Sequence, residues 1–166
     1  MKKKMNNAGM TLLELIVVIA IISILLGMST YALSFAFSKD AENCARTVDT
    51  QLANLRSQSM NKSGEYKLRI TVTGDRKAEI LKDEVQQEHA DIKKGVTIEF
   101  YLDDVAKDAE WVEIVFNKSK GKVSRLIFSD GEVTTLPAVF SIKITDRRGK
   151  SKEVKLVSLT GKHYVD

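Results

Sequence analysis

The hydrophobic and polar residues divide the chain into three stretches of different period. The first is a run over residues 15–38 that contains no charged residue. Its roughly 24 positions exceed the about 20 apolar residues that a helix needs to cross a hydrocarbon core. Because backbone groups inside a bilayer must be paired within their own segment, this run predicts a membrane-spanning helix.

The second stretch has the period of an amphipathic helix. Its apolar residues are spaced three and four apart, and polar residues occupy most other positions. These apolar residues are Ala41, Cys44, Ala45, Val48, Leu52 and Leu55. We predict one helix from about residue 10 to about residue 61, whose second half (39–62) packs by this stripe on a globular domain. Cys44 is expected to be a small buried apolar residue and not a reactive thiol.

Beyond Gly64 the period becomes two, which is typical of strands with one buried face. The alternating segments are 68–72, 96–102, 112–116, 126–128, 140–144 and 154–156. Turn-forming residues separate them, so we predict seven to nine short antiparallel strands over residues 63–166, in two layers or one curved sheet. Residues 83–94 are charged and only weakly periodic, which predicts a loop or a short exposed helix.

Composition mainly excludes classes of protein. The 166 residues are 43% hydrophobic and 29% charged with one Pro, which allows one folded domain with an appendage and excludes a collagen-like or wholly disordered chain. A single Cys excludes an internal disulfide, and one Cys with two distant His gives no zinc pattern. The net charge of +4 includes lysines 2–4, without which 23 basic and 22 acidic residues nearly cancel.

Three interpretations of the first forty residues are open. A cleaved secretory signal has a shorter apolar region, of about 7–15 residues. A plain one-pass anchor would keep its Lys-rich end in the cytoplasm, as the positive-inside rule requires. Glu14 favours a third interpretation, because a carboxylate costs about 2.5–3.5 kcal/mol at the centre of a membrane helix and an anchor does not need one. Such a residue indicates a functional role and a partner.

The residues KKKMNNAG and MTLLELIVVIAIISILLG resemble the type IV prepilin leader, in which a basic stretch and a Gly precede an apolar segment with Glu as its fifth residue. The resemblance implies that prepilin peptidase cuts between Gly9 and Met10, removes residues 1–9 and methylates the new amino group of Met10. It also implies that Glu14 neutralises that group on an adjacent subunit while residues 10–38 pack into a filament. In a low dielectric, this pairing selects the register of the subunits more than it adds net stability.

Two departures from the family pattern are visible in the same region. The first mature residue is Met instead of the usual Phe, and the predicted helix lacks the Pro that kinks many major pilins. In the family, the first residue after the cleavage site mainly needs to be apolar, so Met10 should be tolerated there. Without a Pro, nothing in the sequence demands a kinked helix.

The later sequence resembles the GspH/FimT-like minor pseudopilins. The segments that carry this resemblance are NLRSQSM, LIFSDGEV and FSIKITDRRGKSKEVKLVSLTGKHYV. The last two look like a strand–Asp-Gly–strand hairpin and a final Gly-containing strand. The implied fold is the α+β type IV pilin fold, with a long N-terminal helix packed on an antiparallel β-sheet or sandwich head. The implied protein is a minor pilin or pseudopilin, a structural subunit of a type II secretion pseudopilus or a type IV pilus-like filament.

The same resemblance implies partners and a location. The partners are prepilin peptidase, other pilins or pseudopilins, and an inner-membrane assembly platform with its ATPase. The precursor would be a single-pass protein of the cytoplasmic (inner) membrane, with a cytoplasmic N-terminus and an extracytoplasmic head. It would then move into a cell-surface or periplasmic filament. The competing hypothesis is a membrane-tethered binding domain that is never cleaved.

Candidate chemistry is sparse. There is no Gly-rich phosphate loop, no H-E-x-x-H and no G-x-S-x-G motif. His89 and His163 are expected to be solvated surface histidines. Asp103 and Asp104 lack the alternating spacing of a calcium loop, and the Asp-Gly at 130–131 predicts a hairpin turn. We therefore expect a protein that is not an enzyme and has no cofactor and no metal site.

Charge is unevenly distributed along the second half of the chain. Residues 75–113 contain twelve acidic and six basic side chains, whereas residues 142–166 contain seven basic and three acidic ones. A solubilising surface of mixed sign is one interpretation, and head-to-tail contact between subunits is another. A third is a DNA-uptake (competence) minor pilin that binds DNA phosphates through this basic region. The residues proposed for such DNA or partner contacts are Arg147, Arg148, Lys150, Lys152 and Lys162.

Overall fold

The computed structural model describes residues 12–37 and 39–166. The chain divides into two compact units, residues 1–37 and residues 38–166. The predicted leader 1–9, the cleavage site between Gly9 and Met10, and residue 38 lie outside the described residues. The prediction of one uninterrupted helix over residues 10–61 therefore remains a prediction at residue 38.

The first unit contains the helix α1 (Leu12–Phe37). Its large apolar side chains from Leu12 to Leu26 are exposed, and Glu14 lies in its first turn. The hydroxyl of Ser23 donates a hydrogen bond to the carbonyl of Ile19, 2.8 Å away, so this polar group is satisfied within the helix. Among the described residues, no helix meets the criteria of length and apolar character for a membrane span. The structure does not confirm that part of the prediction for residues 10–38.

The second unit begins with the helix α2 (Asp40–Asn61), and eleven strands follow it within residues 39–166. The strands are β1 (Tyr66–Thr71), β2 (Lys77–Lys82), β3 (Val85–Asp91), β4 (Thr97–Leu102), β5 (Val105–Lys107), β6 (Trp111–Phe116), β7 (Val123–Phe128), β8 (Gly131–Glu132), β9 (Val139–Thr145), β10 (Ser151–Val157) and β11 (Lys162–Val165). They form a six-stranded sheet in the order β3-β2-β1-β6-β7-β8 and a five-stranded sheet in the order β11-β10-β9-β4-β5. Neighbouring strands pair antiparallel, as predicted.

The core of the second unit lies between α2 and the two sheets. The α2 helix contacts β1, β2 and β6 of the six-stranded sheet and β9, β10 and β11 of the five-stranded sheet. The predicted stripe is buried: Val48, Leu52 and Leu55 are fully inaccessible, and Cys44 is buried as expected. The head therefore has the α+β architecture that the sequence predicted, with a helix packed on antiparallel sheets.

Three aromatic rings join the two sheets. Phe128 belongs to the six-stranded sheet, and Phe100 and Phe140 belong to the five-stranded sheet. Their ring centroids are 5.9–6.1 Å apart, which is within the range of favourable aromatic pairs. All three side chains are almost completely buried. These rings hold one end of the six-stranded sheet against the middle of the other sheet.

The prediction of a loop or short helix over residues 83–94 is wrong. Residues 85–91 form β3, which pairs with β2 at the edge of the six-stranded sheet. Most β3 side chains are exposed and polar, so this strand lacks the alternating apolar residues that mark a half-buried strand. The Glu88 carboxylate instead accepts a 2.8 Å hydrogen bond from Gln58 and a 3.4 Å hydrogen bond from Asn54, both on α2. Polar contacts with a distant helix thus hold this edge strand.

Two hairpins turn on acidic residues that have positive φ angles. Asp83 and Glu84 (φ 47° and 67°) join β2 to β3, and Asp103 and Asp104 (φ 48° and 67°) join β4 to β5. Two-residue hairpin loops of type I′ require two left-handed residues, a conformation that normally favours Asn and Gly. The Asp103 carboxylate also accepts hydrogen bonds from the backbone N–H groups of Ala138 (3.1 Å) and Val139 (2.8 Å). Asp103 therefore anchors this turn, and Asp104 completes it at a cost in backbone strain.

We expect Leu52→Ala to lower the free energy of unfolding by about 2–5 kcal/mol, because it leaves a cavity where α2 meets the sheets. Leu159→Ala is the matched control, since Leu159 is 77% exposed. Urea denaturation of the full chain in detergent measures both. Equal effects of the two substitutions would contradict the packing of α2.

We expect Asp104→Gly to raise the free energy of unfolding by about 0.5–1 kcal/mol, because Gly adopts a positive φ without a steric penalty. Asp103→Gly relieves the same kind of strain, but it removes the acceptor of two backbone hydrogen bonds. It should therefore destabilise the head by about 1–2 kcal/mol. The same denaturation experiment compares them, and destabilisation by Asp104→Gly would exclude strain at this turn.

Burial raises the pKa of the Cys44 thiol from its usual value of 9.0 to about 11. The folded protein should therefore react very slowly with a maleimide near neutral pH, and unfolding should restore the normal rate of labelling. Between pH 9 and 11 the unfolded chain loses the thiol proton before the folded chain does, so stability should fall across this window. Rapid labelling of the folded protein would show that the α2 stripe is open to solvent.

Candidate functional site

Glu14 is an exposed carboxylate in the first turn of α1. An acidic side chain at this position interacts favourably with the positive end of the helix dipole. Apolar side chains surround it in the sequence, and Leu12 and Leu13 are 77% and 74% exposed. A contiguous exposed apolar surface of this kind marks a contact with a membrane or another protein. Gly9 and Met10, the other predicted residues of this site, lie outside the described residues.

The turn between β9 and β10 presents three of the predicted basic residues together. Arg147, Arg148 and Lys150 are exposed on this turn. Asp146 is buried beneath them, and its Oδ1 accepts hydrogen bonds from the backbone N–H groups of Arg148 (2.8 Å) and Lys150 (3.0 Å). The Gly149 N–H donates a 3.0 Å hydrogen bond to the carbonyl of Asp146 and closes the turn. The only acidic side chain of the turn is thus used within it, and the three cations face outward.

Two further loops bring cations to the same end of the head. A cleft of about 410 Å³ is lined by Arg76 of the β1–β2 loop, Lys94 of the β3–β4 loop and Arg147. The Arg76 guanidinium donates a hydrogen bond to the carbonyl of Val96, which ties the first two loops together. We call the surface formed by Arg76, Lys94, Arg147, Arg148 and Lys150 the basic end.

Gly95 positions the guanidinium group of Arg147 at the basic end. A Cβ atom on Gly95 would lie 2.8 Å from Nη2 and 2.9 Å from Cζ of Arg147, so a side chain there would displace the guanidinium group. Gly95 also has a φ of 103°, in the region that favours glycine. The Arg147 side chain therefore lies directly on the backbone at Gly95.

The structure separates the other two predicted basic residues from the basic end. Lys162 pairs with Val157 at the far end of the β10–β11 ladder, about 20 Å along β10 from the turn that carries Arg147. Lys152 is near Glu42 of α2. A hydrogen bond from Arg46 lowers the pKa of this carboxyl, and the charge of Lys152 adds a smaller effect in the same direction. The five predicted residues therefore do not form one patch.

Sequence reasoning missed Arg76, Lys94 and Gly95 as members of this surface. They lie some 50–70 positions before Arg147, in a segment whose total charge is negative. The net negative charge of residues 75–113 hid this basic surface, because the acidic side chains of that segment do not share one face. Glu79 and Glu113 are buried on the six-stranded sheet, whereas the other acidic residues are distributed over turns and over strands β3 and β4. The available signal was a Gly next to or near basic residues in each of these turns, as at residues 74–77, 93–95 and 147–150.

The two buried glutamates of the six-stranded sheet are neutralised locally by basic residues of the same sheet. Glu113 lies 3.1 Å from the ammonium group of Lys67 and accepts a 2.7 Å hydrogen bond from Nε of Arg69. Glu79 forms a 2.9 Å ion pair with Lys77. Partial burial opposes the charged form of Lys67, but its hydrogen bonds to Glu84 and Glu113 prevail and raise its pKa. These pairs leave the six-stranded sheet with no continuous acidic face.

The two histidines differ from each other. His89 is exposed, as expected, beside the loops that carry Arg76 and Lys94. The prediction of a solvated His163 is wrong, because its Nδ1 lies 2.6 Å from the Asp49 carboxylate of α2 and the side chain is largely buried. The pair connects β11 to α2, so its role is to hold the last strand on the helix.

The prokaryotic N-terminal methylation motif matches residues 4–30, a range that contains Gly9, Met10 and Glu14. No curated protein and no solved structure matches the chain. The motif implies processing by prepilin peptidase and assembly with other pilins, and it suggests anchoring in a membrane before residence in a filament. Residues 4–30 thus carry a type IV prepilin-like leader, and this motif indicates a type IV pilin-like protein.

Proposed function

We propose that this chain is a minor pilin or pseudopilin of the GspH/FimT-like kind, a non-catalytic subunit of a type II secretion pseudopilus or a type IV pilus-like filament. The observation that carries the proposal is the register between the methylation motif and α1. Glu14 stands five residues after the predicted cut at Gly9, at the start of a helix whose apolar side chains are exposed. A compact β-rich head follows as a separate unit.

The precursor waits as a single-pass protein of the cytoplasmic membrane, with its head outside. Cleavage after Gly9 creates a new amino group on Met10, and methylation modifies that group. The apolar side chains of α1 then pack among the helices of neighbouring subunits. A carboxylate and an amine attract each other strongly in that low dielectric, whereas either one alone pays a large desolvation cost. The subunit therefore packs into the filament only in the register that pairs Glu14 with a neighbour's amino group.

The work of this subunit is mechanical. The energy for extraction from the membrane comes from the ATPase of an assembly platform, which is a separate protein. The head stays outside the helical core of the filament, where its surface is available for contacts. A tethered domain that is never cleaved would need neither the methylation motif nor Glu14.

Processing can be tested on protein from native membranes. We expect a mass that lacks residues 1–9 and carries one additional methyl group, with Met10 as the N-terminal residue on sequencing. An intact Met1 in the membrane-bound protein would favour the uncleaved tether.

We expect Glu14→Ala and Glu14→Gln to leave cleavage after Gly9 intact and to lower incorporation into filaments at least about tenfold, because a buried amine without its partner costs several kcal/mol. Ser23→Ala is the matched control, since the Ser23 hydroxyl is satisfied within its own helix. Quantitative immunoblotting of sheared filaments and of membranes measures the two pools. Normal incorporation of both Glu14 variants would overturn the register mechanism.

A further inference from the structure

We propose that the basic end docks on the anionic phospholipid headgroups of the membrane that holds the precursor. This inference deepens the proposed function and rests on it. The groups that it would bind are the phosphodiester anions of these headgroups, which lie side by side at the membrane surface. The docking would hold the head in a defined orientation before the subunit is extracted.

Basic residues from three loops meet at the basic end. Three loops that are distant in the sequence place Arg76, Lys94 and Arg147 around one cleft, and Arg148 and Lys150 extend the surface along the β9–β10 turn. A neighbouring cleft of about 610 Å³ shares Arg76 and Lys94, adds Lys77 and Lys93, and is also lined by the carboxylates of Asp75 and Asp91, so basic side chains outnumber acidic ones there. Clusters of Lys and Arg next to a membrane segment attract anionic lipids, with about 1 kcal/mol from each residue near the surface.

The basic end lies close to the start of α2. The Lys93 ammonium lies 2.6 Å from the carboxylate of Asp40, the first residue of α2. The basic end is therefore at the end of the head where α2 begins. Only residues 38 and 39 separate α2 from the last residue of the apolar helix α1 in the sequence. Two linking residues reach at most about 10 Å, so a precursor anchored by α1 keeps this end near the headgroups.

The composition of the cleft linings favours a lipid surface over nucleic acid as the ligand. Among the described residues, the linings of the two clefts contain no Phe, Tyr or Trp, and His89 is their one aromatic ring on which a base could stack. Tyr164 pairs with Lys155 in the middle of β10, and it does not line either cleft. Headgroup phosphates need only outward cations on a surface, which is what the three loops provide.

The test uses the full-length protein in lipid nanodiscs that contain either phosphatidylcholine alone or phosphatidylcholine with phosphatidylglycerol. A fluorophore attached at Ser151→Cys, beside the β9–β10 turn, reports quenching by a lipid with a nitroxide headgroup. Ser119→Cys is the control site, because the β6–β7 turn lies at the other end of α2, where Arg56 donates a 3.0 Å hydrogen bond to the Gly121 carbonyl. Cys44 is buried and remains unlabelled.

We expect stronger quenching at position 151 in the discs with phosphatidylglycerol, and none of this lipid dependence at position 119. The triple variant Arg147→Gln, Arg148→Gln, Lys150→Gln should lower the ratio of docked to undocked heads about a hundredfold, because each of the three cations contributes about fivefold. The matched control is Lys118→Gln, Lys120→Gln, Lys122→Gln, which removes three positive charges from the opposite end and should change nothing. Equal losses in both triple variants would overturn the proposal.

Three further outcomes discriminate between sources of the anion and between the two proposals. Inorganic phosphate at constant ionic strength should leave the quenching unchanged, and its loss would indicate a site for free phosphate and overturn lipid docking. Duplex DNA that binds in phosphatidylcholine discs through the same three cations, with no effect of phosphatidylglycerol, would assign the surface to DNA. Failure to co-purify with either disc would overturn the proposed function as well, whereas equal quenching in co-purified protein overturns this inference alone.

Discussion

Burial of the α2 stripe is the interaction on which the architecture of the head depends. Val48, Leu52 and Leu55 are completely covered, and the helix touches three strands of each sheet. Burial of one such side chain stabilises the folded state by about 1.5–3 kcal/mol. Both sheets pack against the same helix, so both contribute to this burial. The sheets are therefore held in one head because they share α2, with the three phenylalanine rings closing the contact away from the helix.

Polar contacts then determine where the remaining strands lie around α2. Glu88 holds β3 to the helix through Gln58, His163 holds β11 through Asp49, and Arg56 donates a 3.0 Å hydrogen bond to Gly121 beside the β6–β7 turn. All three contacts occur on the second half of α2 or near its middle. The first turn of the helix instead faces Lys93 and the loops of the basic end. The end of the head where the chain enters it therefore carries the loops of the basic end, whereas polar contacts with β3, β11 and the β6–β7 turn lie farther along α2.

The two proposed interactions of this subunit act at different stages, in different surroundings. The charge pair between Glu14 and a neighbour's amine operates only after cleavage and assembly, in a low dielectric between helices. The basic end operates before extraction, at a surface in water, where each cation contributes modestly and salt weakens the attraction. The two interactions therefore favour different states of the same chain, one in the membrane and one in the filament.

Local features of the chain were sufficient to predict the prepilin-like leader, the buried stripe of α2 and the central strands. Each of these depends on the spacing of residues that are close together in the sequence, as in the alternation of Leu68 and Ile70 with Lys67 and Arg69. Edge strand β3 and the His163–Asp49 pair escaped prediction because each makes side-chain contacts with α2, which lies 30 to 114 positions away. The basic end required the fold for the same reason: turns near residues 76, 94 and 147 become neighbours only when β9 pairs with β4 and β1 pairs with β2. Periodicity identifies which face of an element is buried, whereas long-range strand pairing and helix packing select which loops meet.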